Sequence, residues 1–178
     1  IFYHDSAVWR TVKKIMPHMY YPNLAFAVSR SVRGAPWRDV LVTKNMMEFG
    51  YIATRPGNTA PLFPMFVYDL KDLNSTKRKY NFKPNLLNSL NSHLSHKVEC
   101  EELFYYIYSI LNSNVYRHKY SEFIAIDFPK IPFTNDLSLF SKLSNLGKKL
   151  TVIQLMKGIE PSVKLVFKGE GDYQVGTM

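Results

Sequence analysis

A single cysteine, Cys100, leaves this 178-residue chain unable to form an internal disulfide, and a lone thiol fits a reducing compartment. Long apolar runs are also missing. Nothing approaches the roughly 18 consecutive apolar residues that a membrane-crossing helix needs, and the nearest candidate, Leu103 to Leu111, is short and rich in tyrosine. No secretory leader is visible, and the chain opens at Ile1 in what reads as the middle of a strand, so the expectation is a piece excised from a longer protein. A glycine-rich phosphate loop of the Walker type is absent, which excludes an ATPase. The Asn/Asp-Pro-Pro-Tyr/Phe run of amino-methyltransferases and a glycine fingerprint for a methyl donor are absent too, so nothing in this sequence reads as a methyl-transfer site.

Acidic residues are scarce in the front half. Residues 1–83 hold 13 Lys and Arg against 5 Asp and Glu, whereas residues 84–178 hold 10 against 9, so nearly all of the net charge of +9 lies in front. Six of the seven arginines, Arg10, Arg30, Arg33, Arg38, Arg55 and Arg78, lie there as well. Such asymmetry points to a lobe that faces a polyanion, the alternative being ordinary solvated surface charge. With 46% hydrophobic residues the chain can bury a core, as one domain or two small packed lobes.

Periodicity divides the chain. Ser6 caps an expected first helix that turns Val8, Val12 and Ile15 inward and ends near Met16, because Pro17 cannot continue it. Apolar runs at Leu24–Val28, Asp39–Thr43, Phe49–Ala53 and Pro61–Tyr68, separated by Gly and Pro, predict strands. The basic stretch from Lys71 to Lys83 has no period and reads as a loop or lobe boundary. Helices follow: Asn85–Leu94, with Leu86, Leu87, Leu90 and Leu94 on one face, then one opened by Glu99, Glu101 and Glu102 and striped by Leu103, Ile107, Ile110 and Leu111. Asn112 to Asn114 stop it, and a second short helix carries Tyr116, Tyr120 and Phe123 on one face. Pro129 and Pro132 hold the next segment extended. A last helix from Asp136 to about Lys157 places Leu139, Leu143, Leu146, Leu150 and Ile153 toward a bundle, and Lys164–Val175 reads as a hairpin. The expected fold is α+β: a small β-rich lobe of about residues 1–70 on a helical lobe of about 84–157. The expected division is 1–83, 84–157 and 158–178.

The basic residues of the front lobe fall mostly in loops between the expected strands: Arg30, Arg33 and Arg38, then Lys44 and Asn45, then Arg55 and Asn58. Arginine can grip guanine, and asparagine adenine, through two hydrogen bonds each, a pairing worth ~1–3 kcal/mol of discrimination. Loops carrying both therefore suit base readout, with surface hairpins paired to nearby acids as the alternative. Gly34 and Gly57 would let the backbone approach a duplex closely. The cluster Lys77, Arg78 and Lys79, with Lys83, suits phosphate grip. Asp39 with Asp69-Leu70-Lys71 loosely fits a nuclease metal pattern, and His93, His96 and Cys100 a zinc pattern lacking a fourth ligand; both are set aside, leaving no catalytic or metal residue. The tyrosines at helical spacing read as core rather than base-stacking platforms, while Trp37 beside Arg38 stays open.

The string ELFYYIYSILNS, the Tyr116-Arg117 pair, Tyr120, DFPKIP at Asp127–Pro132 and LSLFSKLSNLGKKL at Leu137–Leu150 resemble the C-terminal specificity region of single-chain restriction-modification enzymes, the type ISP and related type IIG proteins. NLAFAVSR, the Trp37 loop and APLFPMFVYD match more loosely, and the likeness covers about two thirds of the chain. The resemblance implies a bacterial, cytoplasmic target recognition domain that binds double-stranded DNA. It also implies an adenine methyltransferase upstream in the same chain, nuclease and often helicase-like motor domains farther upstream, and no membrane. S-adenosylmethionine and magnesium are implied for the parent enzyme, with no cofactor and no catalysis in this segment. A helical protein-interaction module without DNA readout, or an RNA binder, are the alternatives.

Overall fold

The run AFAV offers no polar residue for a solvent face, and the chain buries it on both sides. The computed structural model describes residues 15–30, 37, 40–47, 60–71 and 77–158. In it AFAV forms β1 (Ala25–Val28), fully buried at the centre of an antiparallel sheet between β2 (Val40–Thr43) and β3 (Leu62–Pro64). Register pairs Val28 with Val40 and Ala25 with Thr43 on one side, and Ala27 with Leu62 on the other. One face carries Phe26, Val28, Val40, Val42 and Phe63 into the main core. The small residues Ala25 and Ala27, with Leu62 and Met19, make a second, thinner cluster behind it. The expected Ser6 helix up to residue 14, the Phe49–Ala53 strand and the C-terminal hairpin lie outside the described residues.

Two expectations for the front half need correction. The Pro61–Tyr68 run is two strands, β3 and β4 (Phe66–Tyr68), in different sheets. Pro64 has no N–H for the ladder. At the break the Met65 N–H turns to Leu24 O, and the Asn23 side chain takes both the N–H and the C=O of Phe66. The basic stretch expected as loop contains β5 (Arg78–Tyr80), paired antiparallel with β4. Edge pairing against an apolar strand overrides a composition that by itself favours no regular structure.

Pro17 stands in the first turn of a 3-10 helix, Met16–Met19, which Asn23 ties to β4 by donating to His18 O as well as to Phe66 O. The buried His18 ring accepts the Tyr68 N–H at Nδ1, so it must be neutral, and burial holds its pKa below the ordinary value. A depressed folded-state pKa means that the unfolded chain binds the proton more readily. His18 therefore stabilises the fold fully above about pH 6.5, and that contribution is lost as pH falls through its lower folded value. Urea unfolding at pH 7.5 and 5.5 is expected to show lower stability at the lower pH. The His18→Asn variant, whose side chain cannot titrate there, is expected to show a smaller drop.

The helices follow the sequence more closely. Pro84 sits in the first turn of α1 (Pro84–Leu94), which ends at left-handed Ser95. α2 (Cys100–Asn112) opens with a capping box in which Glu99 and Glu102 each accept from the other's backbone N–H. Its stripe Leu103, Ile107 and Leu111 is buried, with Ile110 at the margin. The expected second short helix is two, α3 (Asn114–Lys119) and α4 (Ser121–Ile126). They bury Tyr116 and Ile124 and leave Phe123 72% exposed, because the break at Tyr120 takes Phe123 off the shared face. Tyr106 and Tyr116 then donate to the carbonyls of Pro132 and Lys130, fixing the extended proline segment to the helices.

The last helix, α5 (Leu137–Gln154), is turned from the expected face, of which Leu143 alone packs, partly buried, against the core. It buries Phe140, Ser144, Gly147 and Thr151, whereas Leu139, Leu146, Leu150 and Ile153 are exposed. The reason is its closeness to α2. A Cβ at position 147 would lie 1.9 Å from the Tyr105 carbonyl oxygen, and Ser144 Oγ donates to Glu102 O. Only small residues fit such a seam. The architecture is thus α+β, a small β lobe and a helical lobe sharing one main core, in which the Phe26 and Phe104 rings stack at 3.8 Å.

Gly147→Ala sets two effects against each other: alanine favours a helix by about 1 kcal/mol, but the methyl meets backbone rather than a movable side chain. Thermal unfolding is expected to show net destabilisation of about 1–3 kcal/mol. Asn145, two positions earlier on the exposed side of the same helix, serves as the control: alanine there should be neutral within about 0.5 kcal/mol.

Candidate nucleic-acid interface

The β1–β2 hairpin decides which basic residues can act together. Arg30 follows the end of β1, while Lys44 and Asn45 follow the far end of β2, so the sheet places them at opposite ends, about 20 Å apart along the strand direction. Arg33, Arg38, Arg55 and Asn58 lie outside the described residues. Trp37 is 4% exposed and its indole N–H donates to Ser29 O, which ties the two ends of residues 29–37 together and assigns this tryptophan to the core.

Arg30 is exposed and already engaged. Its Nε lies 2.9 Å from Asp127 Oδ1, and its guanidinium lies 5.9 Å from the Phe128 ring centre. The Asp127 carboxyl is held below the ordinary value by the Phe128 backbone N–H first, and then by Arg30. This bridge joins the front sheet to the proline segment, and nothing local in the sequence links positions 97 residues apart.

The Lys77–Lys79 cluster divides by strand alternation. On β5, Arg78 and Tyr80 share a face: the Arg78 guanidinium lies 3.9 Å from the Phe66 ring centre and donates to Tyr68 Oη at 3.3 Å. Tyr80 donates to the Glu101 carboxylate at 2.9 Å, and burial, then Glu101, pushes its phenol up to about 12. Lys79 projects to the other face and is exposed, as is Lys83 at the start of α1. Arg78, expected as a phosphate contact on a loop, therefore also holds the second sheet together.

At the Lys44 end, the turn and the end of α5 line an open cleft of about 560 Å³ containing Lys44, Asn45, Gln154 and Lys157. Sequence reasoning missed Lys157 because only tertiary packing brings it beside Lys44. The residues weighed for zinc are otherwise occupied. His93 Nδ1 lies 2.7 Å from Ser89 O, His96 faces Glu102, and the buried Cys100 thiol is pushed up to about 11 by burial, then by Glu101 and Glu99. No described helix is long and apolar enough to cross a membrane.

Two antiparallel sheets packed with a set of helices define a mixed α+β module. The chain belongs to the type ISP C-terminal specificity domain family, whose model matches residues 1–178. It is accordingly a specificity domain and not a catalytic one. Among solved structures, the DrdV–DNA complex matches at 23% identity with a TM-score of 0.68, over 83% of this chain and 13% of that one. The ATP-dependent type ISP restriction-modification enzyme LlaBIII bound to DNA matches at 22% identity with a TM-score of 0.67, over 86% and 10%. The chain thus spans about a tenth of each. No curated protein matches.

Arg78→Ala is expected to lower thermal stability by about 1 kcal/mol through loss of its ring contact, while Lys79→Ala leaves stability unchanged. Equal stability of both variants would show that Arg78 has no structural part.

Proposed function

We propose that this chain reads a short double-stranded DNA sequence and positions an adenine methyltransferase and endonuclease belonging to the same parent polypeptide. The observation that carries the reading is the rigid frame under the basic loops: the Trp37–Ser29 hydrogen bond closes the base of the Arg33 segment on the core. Family membership supports it, and both solved relatives are complexes with DNA. Specific readout needs side chains held in fixed register, because a bidentate contact discriminates only when its donors cannot follow the wrong base.

In this reading residues 1–83 form the recognition lobe, residues 84–157 brace it, and residues 158–178 add a further element. Arg33, Arg38, Arg55 and Asn58 read bases, and Arg30 joins them by exchanging Asp127 for DNA. Lys77, Lys79 and Lys83 grip phosphates, with Arg78 contributing charge from its packed position. The methyltransferase would then meet its adenine in a defined register and flip it from the stack. S-adenosylmethionine and magnesium would serve that upstream machinery.

The exposed Leu139, Leu146, Leu150 and Ile153 face of α5 favours a second reading, a protein-interaction module without DNA readout. Selection of bound sequences from a random duplex pool, at low and at near-physiological salt, separates the two. The expected outcome is a short asymmetric consensus that survives added salt, with alanine at Arg33, Arg38 or Arg55 relaxing one position each. Retention of no sequence, with binding that vanishes as salt rises, would overturn specific readout.

A further inference from the structure

Lys44 and Lys157 come from elements separated by most of the chain, and both rise from backbone that is held in place. The turn carrying Lys44 is fixed by Thr43, whose Oγ1 accepts the Asn45 N–H at 3.0 Å and donates to Asn45 O at 3.1 Å. The end of α5 is fixed by Tyr108, whose hydroxyl donates to Gln154 Oε1. Lys157 follows three residues later, where its N–H still bonds to Val152 O. Both lysines are exposed and line the same open cleft, and the described lining contains no carboxylate.

This arrangement differs from that of the two described arginines of the front lobe. Arg30 has Asp127, and Arg78 has Tyr68 and the Phe66 ring. Lys44 instead has Lys157: the direct side-chain contact, then slight desolvation and charge repulsion, hold its ammonium below the ordinary lysine value. Two ammonium groups that face each other without an acid between them repel, and a shared anion converts that repulsion into two attractions. Lysine serves phosphate better than it serves a base edge, since its flexible point charge lacks a rigid fork.

We infer that Lys44 and Lys157 together hold one backbone phosphate of the bound duplex, so that Lys44 grips the phosphodiester instead of reading a base and the helical lobe takes part in binding. The inference rests on the DNA-binding reading above and adds a contact from the brace itself. Sharing one phosphate has a consequence that independent contacts lack: removing either lysine weakens the grip, but removing the second adds little.

The test is duplex binding by this chain and by its Lys44→Ala, Lys157→Ala and double variants, followed by fluorescence anisotropy across a salt series on the selected duplex and an unrelated one. Each single variant is expected to lose several-fold affinity for both duplexes alike. The slope of log affinity against log salt is expected to flatten by about 0.9 in the double variant, the value for one phosphate rather than two. Matching melting temperatures establish that the exposed substitutions leave the fold intact. An unchanged slope in the double variant, a loss confined to one sequence, or fully additive losses would overturn the shared-phosphate assignment while leaving DNA recognition standing. Stabilisation of the parent protein, but not the double variant, by inorganic phosphate, with coincident DNA slopes, would assign the pair to a free anion and overturn it equally. Failure of the unaltered chain to bind any duplex would overturn the DNA reading, and this inference with it.

Discussion

The backbone contact between α2 and α5 at Gly147 sets the geometry of everything else. Because a side chain at 147 would collide with the Tyr105 carbonyl, the two helices lie closer than large residues permit, and Ser144 and Thr151 complete a seam of small side chains. Their hydroxyls return to backbone carbonyls, Ser144 to Glu102 and Thr151 to Gly147, so the close approach leaves neither one unsatisfied. With α5 pressed on one side, α2 turns Phe104 toward the sheet, where it stacks on Phe26. One helix thereby transmits the position of the brace to the strands that carry the loops.

That geometry explains what the sequence made legible and what it hid. Helix positions were readable from capping residues and breakers: the Glu99 and Glu102 pair, Pro84, Ser113 and Asp136 all act locally. The α2 stripe was readable because it faces a conventional core of large side chains. The face of α5 was not, since a hydrophobic period identifies the buried side only where burial selects large residues. Here it selected Ser, Gly and Thr, and Leu139, Leu146 and Leu150 were left facing outward. Strand β5 was missed for a related reason, as its basic residues gain their order from Phe66 and not from any pattern of their own.

The candidate site shows the same limit. Loops rich in arginine and asparagine identify a face that suits nucleic acid, but sequence order cannot tell which of their charges is already committed. Arg78 is held by a ring and a phenol, and Arg30 by a carboxylate on a segment almost a hundred positions away. Lys157 carried no signal at all, because a lysine at a helix end is favoured by the dipole whatever else it does.

Cations with and without an acidic partner also differ in what binding must overcome. In the proposed reading Arg30 would have to leave Asp127 to contact DNA, so its contribution would be the difference between two attractions, an exchange that an exposed ion pair makes inexpensive. Among the described residues, Lys44 and Lys157 surrender no carboxylate partner, and they shed mutual repulsion when an anion arrives. A recognition surface gains from having both kinds. If both act as proposed, the lysine pair would favour any duplex through attraction that depends on salt, whereas an exchangeable arginine would contribute net stabilisation only where the new partner exceeds the old one. On that reading specificity would come from the residues that have something to lose.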